Sequence, residues 1–258
     1  MEVLEKDITE QANASQGEEV IECIHLHKSY GSNVVLADFN LSIHRGESWA
    51  VMGKSGIGKT VLIKCIIGLT RPEEGIVKVF GQNIAAISKQ ELDEIRMRIG
   101  FVFQSSALYD SMTVRENLEF PLRRHRLAKI KSNINDLVVE SLRNVGLENA
   151  IDLMPSELSG GMRKRIGIAR SLILKPEIIL YDEPTTGLDP ITAEEITKLI
   201  LELQNKYQTT SIIITHDMEL AKATATKIVF IIEGKAFYKG TYDELKKIDD
   251  SRITPFFA

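Results

Sequence analysis

"SWAVMGKSGIGKTVLIKCIIGL", Ser48 to Leu69, decides the fold. Ser48–Met52 is a short apolar run of the length of a buried strand. "TVLIKCIIGL" reads as an apolar helix. Between them "GKSGIGKT" fits G-x-x-x-x-G-K-[ST] at Gly53, Gly58, Lys59 and Thr60. Gly53, Gly56 and Gly58 let the backbone curl so that its N–H groups point inward at phosphate oxygens. The remaining loop positions are Lys54, Ser55 and Ile57, with Val61 directly after. The alternative is a turn that only caps a helix; the strand–loop–helix setting favours the phosphate cradle. In such a cradle Lys59 reaches the β and γ phosphates and the Thr60 hydroxyl sits on Mg2+.

Two further apolar runs build outward from this unit. "EIILYDEP" (Glu177–Pro184) and "TSIIITHD" (Thr210–Asp217) read as buried strands, each after a helix. That is the pattern of a parallel sheet with crossover helices. Ligands in open α/β sheets bind at the carboxyl ends of the strands. Asp182 emerges at such an end and is placed to hold Mg2+, with Glu183 beside it as the base that orients water. Two solvated carboxylates are the alternative; beside a phosphate loop the division of labour is favoured. His216 follows "SIIIT" and Gln104 closes the strand-like "IGFVFQ". Alone, each reads as a structural histidine and a surface glutamine. At the same edge, an imidazole contacts the γ-phosphate and an amide accepts from metal-bound water.

"ELSGGMRKR" (Glu157–Arg165) is a second anion-site pattern: a serine and two glycines before a basic, helix-like run. Its Arg163–Arg165 segment has three readings: it favours the anion, packs between subdomains, or faces water.

The fold expectation is α/β: a mostly parallel core sheet flanked by helices, an antiparallel β subdomain from Ile21 to Ile43, and a helical insertion at about 88–175. "KIVFIIEGKAFYKG" reads as a terminal strand pair and "TYDELKKI" as a last helix. Residues 1–19 read as a flexible extension and 20–258 as the functional domain. Cys23 and Cys65 lack CxxC spacing and read as buried thiols in a reducing compartment. The formal net charge of -4 gives no general footprint for nucleic acid. There is no signal peptide and no run long enough for a membrane span, so action at a membrane is expected only through partners.

Taken together, the ordered set "GKSGIGKT", Gln104, "LSGGM" at 158–162, "YDEP" at 181–184, "GLDP" at 187–190 and His216 resembles the ATP-binding subunit of ABC transporters, of the P-loop NTPase fold. The resemblance runs from about Ile21 onward. It implies an ATPase with ATP and Mg2+ as ligands. It implies Tyr30 as the ring that stacks on adenine, beside the alternative of a packing tyrosine. Lys59 and Thr60 match the phosphate and Mg2+ ligands. Gln104 matches the glutamine that senses nucleotide and couples to the membrane subunit, Glu183 the catalytic carboxylate, and His216 the switch histidine. Asp189 matches the aspartate that communicates across the dimer. Ser159, Gly160 and Gly161 of one copy close on the ATP held by a second copy, so the chain is expected as a homodimer on an integral membrane permease.

A narrower resemblance, on "GKTVLIKCIIGL", Val61, Met162 and the tail "DDSRITPFF", is to ATPases of Mla or MCE lipid transport. It implies an MCE-domain lipid-binding protein as a further partner and a place at the cytoplasmic face of the inner membrane. Lys54 departs from the usual proline or small residue. "SSALYDSMTVRENLEF" carries Leu108, Tyr109, Met112, Val114, Leu118 and Phe120, candidates for a groove that receives a permease helix. Arg123–Arg126 with Lys129 and Lys131 read as a solvated face or a headgroup contact. The competing functions are the same ATPase serving an amino acid, osmoprotectant or lipoprotein, and a soluble ABC ATPase acting on nucleic acid or ribosomes. The latter usually needs two nucleotide domains or coiled-coil arms, for which this chain has no room.

Overall fold

A computed structural model describes residues 17–124 and 134–257. The 1–19 extension up to residue 16, and His125, Arg126, Lys129 and Lys131 of the basic run, lie outside the described residues. The chain forms two compact units: residues up to Arg96 together with those from Thr209 on, and Met97–Gln208.

The first unit opens with β1 (Glu19–Tyr30) and β2 (Asn33–His44), an antiparallel hairpin turned at Gly31, φ 61°. Neither strand alternates cleanly. The ladder shifts register between Cys23 and Leu26, and His25 and Asp38 take left-handed backbone, φ 49° and 55°. Such a bulge moves side chains to the other face. The two displaced residues meet: His25 Nδ1 lies 2.6 Å from Asp38 Oδ1. This is why the sequence shows several short apolar stretches where the protein has two twelve-residue strands.

β3 (Ser48–Met52) is buried at all five positions and leads through the glycine loop into α1 (Lys59–Ile66). β4 (Glu74–Val79) pairs antiparallel with β1, and β5 (Gln82–Asn83) completes the sheet β2–β1–β4–β5. α2 (Lys89–Met97) buries Ile95.

In the second unit β6 (Ile99–Val102) begins a helical stretch: α3 (Val114–Arg124), α4 (Ile134–Arg143) and α5 (Gly160–Leu172). The three helices pack on one another. α5 also packs on β6, where a Cβ on Gly100 would stand 2.7 Å from the Ser171 carbonyl; only glycine lets the helix approach so closely. β7 (Ile178–Asp182) pairs parallel with β6, Val102 opposite Tyr181, and is followed by α6 (Pro190–Tyr207).

The chain then returns to the first unit with β8 (Thr210–Ile214), α7 (Met218–Thr224), β9 (Lys227–Ile232), β10 (Lys235–Gly240) and α8 (Tyr242–Leu245). β9, β3 and β8 run parallel, with β10 antiparallel on β9. β8 is buried at all five positions, in keeping with its unbroken apolar run. The tail folds onto this layer: Ile253 is buried with Met52, Met218, Phe230 and Leu245, and Phe256 meets Phe230 edge-on at 4.9 Å. Cys23 and Cys65 are free buried thiols, pushed up by burial. Among the described residues no helix is long and apolar enough to cross a membrane.

Candidate active site

In the first unit the glycine loop begins where β3 ends. Gly53 has φ 145° and Gly58 φ 113°. A Cβ would stand 2.7 Å from the Ile231 carbonyl at Gly53 and 2.6 Å from the Val35 carbonyl at Gly58. Both are glycine because strain and space forbid anything else. Gly56, φ 78°, has open space around it. Gly58 is the N-cap of α1 and supplies no side-chain acceptor, so no cap competes for the N–H groups of the first helical turn. Lys59 is buried and its Nζ donates to the carbonyls of Gly53 (2.7 Å) and Lys54 (3.1 Å). Thr60 is half-buried in the first turn, followed by Val61. Lys54 and Ser55 are exposed, Ile57 half-buried. Lys54 and Ile57 line a cleft with Phe230–Glu233 and Arg252.

β3 and β8 pair in parallel, and the Thr215 N–H donates to the Val51 carbonyl at 3.3 Å. His216 therefore leaves the sheet beside the start of the glycine loop, and it is exposed. Tyr30 is 52% exposed at the end of β1 with the Lys28 ammonium 5.1 Å from its ring centre.

In the second unit β6 and β7 end at one edge, which brings Gln104 towards Asp182 and Glu183. Asp182 is 7% exposed. Glu183 holds left-handed backbone, φ 49°, unusual for a side chain with a Cβ. Thr186 Oγ1 donates to Glu183 Oε2 at 3.0 Å, and the Thr186 N–H to its carbonyl at 3.3 Å.

Ser159 caps α5, accepting from the Met162 N–H at 3.2 Å, and Ser159 and Gly160 are exposed. A Cβ on Gly161 would stand 2.6 Å from the Thr192 methyl, so the serine–glycine loop packs against the start of α6. That start is capped by Asp189, which accepts from Ile191 N (3.1 Å), Thr192 N (3.0 Å) and Thr192 Oγ1 (2.6 Å). The Thr192 hydroxyl first, then the backbone donors, hold the Asp189 carboxyl below the usual carboxylate range.

The basic run now has partners. Arg163 donates to the Leu158 carbonyl at 2.8 Å. Arg165 donates to the Val145 carbonyl (3.2 Å) and pairs with Glu195 (2.8 Å). Lys164 turns inward, 6% exposed, and donates to the carbonyls of Gln104 (2.6 Å) and Glu183 (3.2 Å). Burial lowers its pKa, against the pull of Glu183 and Asp182. No one of the three sequence alternatives describes the whole segment: Arg163 is exposed, while Lys164 and Arg165 are bonded within their own unit.

In the segment after Gln104, Val114 and Leu118 are core, while Tyr109 is 44% exposed and its ring lies 4.7 Å from Phe120. Buried Asn117 donates to the carbonyls of Tyr109, Met112 and Thr113 and accepts from the Tyr109 N–H. Arg170 donates to the Ser106 carbonyl at 3.0 Å. Lys164, Thr186, Asn117 and Arg170 were invisible as site residues. Only their neighbourhood to the motifs, and a polar residue on an apolar helix face, pointed at them.

A glycine cradle on a helix N-terminus and, in the other unit, an acid pair at a parallel-strand end define a nucleotide-hydrolysing α/β protein of the phosphate-loop class. The chain belongs to the ABC transporter family, whose sequence profile matches residues 36–186. It is an ATPase and an ATP-binding subunit. It is 40% identical over 238 residues to the intermembrane phospholipid transport system ATP-binding protein MlaF of Haemophilus influenzae, covering 92% of this chain and 89% of that one. It is 39% identical to the probable ribonucleotide transport ATP-binding protein mkl of Mycobacterium leprae (92% and 68% covered). It is 36% identical to the methionine import ATP-binding protein MetN of Rhizobium johnstonii (90% and 64%). Among solved structures, CbiO1 of Clostridium perfringens matches with TM-score 0.78 and 29% identity over 88% of this chain and 90% of that one. The dimeric cassette MJ0796 bound to ADP and Pi matches at 0.76 and 32% over 86% and 98%.

Proposed function

We propose that this chain works as a homodimer that energises movement of a phospholipid between membranes, seated on an integral membrane permease at the cytoplasmic face of the inner membrane. An MCE-domain lipid-binding protein is the further partner. Nucleic acid is not a partner, and contact with the membrane runs through the permease. Residues 20–258 form one ATPase domain, with the helical insertion at about 88–175. The observation that carries the cargo assignment is the 40% identity over nearly the whole of both chains to a phospholipid-transport subunit. Val61 and Met162 and the "DDSRITPFF" tail support the same branch.

The donor set fits a nucleotide with Mg2+. The glycine loop offers a cradle of backbone N–H groups and the Thr60 hydroxyl; the Asp182 carboxylate is, in its own unit, a hard oxygen ligand of the kind that suits Mg2+. When bound, the metal neutralises charge on the phosphate oxygens. Gly53 to Val61, including Lys54, Ser55, Gly56 and Ile57, grip the phosphates, and Lys59 swings from the loop carbonyls to them. Tyr30 stacks on the base. Glu183 holds and deprotonates the attacking water, Gln104 orients it and shares the metal, and His216 contacts the γ-phosphate. Ser159, Gly160, Gly161 and Asp189 act in trans on ATP held by the second copy.

Purification from native membranes tests the cargo. A permease and an MCE-domain protein are expected to co-purify; a soluble solute-binding protein in their place overturns the lipid reading. Glu183→Gln tests the chemistry: ATP binds and turnover falls by about 10²–10⁴-fold, the usual reach of a general base. Near-normal turnover removes Glu183 as the base.

A further inference from the structure

We propose that Lys164 is a positioning residue of the hydrolytic site: one buried ammonium on the serine–glycine helix fixes the backbones of Gln104 and Glu183 together. The proposal rests on Glu183 being the base.

Three observations meet at this side chain. First, Lys164 lies on α5, five residues after Ser159, so its backbone moves with the exposed loop at the start of that helix. Second, its Nζ donates at 2.6 Å to the Gln104 carbonyl and at 3.2 Å to that of Glu183. Those residues follow different strands, Gln104 after β6 and Glu183 after β7, and within this unit the ammonium bonds to both. Third, Glu183 sits in left-handed backbone at φ 49°. A non-glycine residue keeps such a conformation when its surroundings over-determine it. The Lys164 bond to its carbonyl and the Thr186 bond to its carboxylate are two of the constraints. A lysine on an apolar helix face, 6% exposed, is costly to bury, and these carbonyls compensate it.

The consequence is geometric. Gln104 opens the segment 105–113, which leads towards the exposed Tyr109, while Glu183 carries the carboxylate. With both carbonyls on one cation, a shift of α5 or of the segment after Gln104 is felt at Glu183. Lys164 does not touch the reacting atoms; it sets where the carboxylate stands.

The test compares Lys164→Met, Lys164→Arg and Glu183→Gln in the full chain with its permease. Methionine keeps the length of the side chain and loses every donor; arginine keeps a buried cation with two forked donors. In Lys164→Met, ATP affinity stays within about twofold and kcat falls about 100-fold, the loss expected when a reacting group is misplaced by about 1 Å. Lys164→Arg recovers at least about tenfold of that loss. A structural role alone lowers the fraction of chain that binds ATP and leaves kcat per bound site unchanged; that result overturns the proposal. So does Lys164→Met with kcat within about twofold of the parent, or Lys164→Arg no better than methionine. If Lys164→Met does not fold, the decision passes to kcat per bound site in Lys164→Arg. A value within tenfold of the parent supports the proposal and a greater loss overturns it. Glu183→Gln separates the two readings: if it keeps turnover, the base assignment fails and this proposal with it. If it is inactive while Lys164→Met is normal, only this proposal fails.

Discussion

The two units leave their buried strands in opposite ways. β3 hands the chain to glycines, and the turn at Gly53 and Gly58 is made of backbone that only glycine tolerates. β7 hands it to Glu183, a bulky charged residue held in left-handed backbone by hydrogen bonds to its carbonyl and carboxylate. The same contrast recurs at the helix starts. α1 has Gly58 at its N-cap, which supplies no side-chain acceptor to its first turn. α5 is capped by Ser159, whose oxygen is engaged by Met162 N while Ser159 itself is exposed. The first unit presents a cradle made chiefly of backbone. The second presents side chains and an exposed, capped helix start, which is what a surface completed by another copy requires.

Ser159→Arg probes that difference most severely. A long cation at the exposed cap leaves the glycine cradle untouched, so ATP affinity of the single chain is expected within about twofold of the parent. It blocks close approach of a second copy, and turnover is expected to drop by more than about 100-fold, since the donors that stabilise a reacting phosphate are commonly worth that much. ATP-dependent dimerisation of a Glu183→Gln background, read by size-exclusion chromatography, should disappear with it. Full ATPase activity in Ser159→Arg breaks the contrast, because the two helix starts would then serve one copy alone.

Gly58→Ala and Gly56→Ala sharpen the other side. At Gly58 the added Cβ meets the Val35 carbonyl at 2.6 Å in backbone at φ 113°, so the loop has to move. Strain of about 1–3 kcal/mol in the competent loop corresponds to roughly 5–150-fold weaker ATP binding. At Gly56 the space is open and only φ 78° resists, so the loss is expected near the lower end of that range. Calorimetric titration of ATP into the two variants checks the order, and equal losses would show that space around the loop is irrelevant.

What the sequence made legible follows the same divide. The cradle was readable residue by residue, because a backbone site needs glycines at fixed spacing and a lysine and hydroxyl directly after. The strands β7 and β8 were readable from unbroken apolar runs. β1 and β2 were readable as an antiparallel subdomain but not as two continuous twelve-residue strands, because His25 and Asp38 break the alternation that marks a strand. In the second unit the named acids were legible and their supports were not. Lys164 reads as one of three basic residues in a row, and Thr186 as one of two threonines. Spacing along the chain does not reveal which carbonyl an ammonium meets. A buried lysine is recognised when the helix has docked and its apolar face has enclosed it.

The smallest expected effect concerns the strands themselves. β3 and β7 are both five residues long and buried throughout, yet β7 carries Tyr181, fully buried with no hydrogen-bond partner for its hydroxyl among the described residues. Burial pushes that hydroxyl's pKa well above its usual value. A buried donor without a partner costs about 1–3 kcal/mol, so Tyr181→Phe, which keeps the ring and removes the oxygen, should be neutral to stabilising by about 1 kcal/mol. Thermal unfolding of parent and variant decides it. Because Tyr181 directly precedes Asp182, kcat is the second reading. Unchanged turnover with a raised midpoint makes the hydroxyl a stability cost on the second unit alone. A loss of turnover without a loss of stability instead assigns the hydroxyl a part in setting the acid pair, and the contrast between a backbone site and a side-chain site then extends into the core of β7.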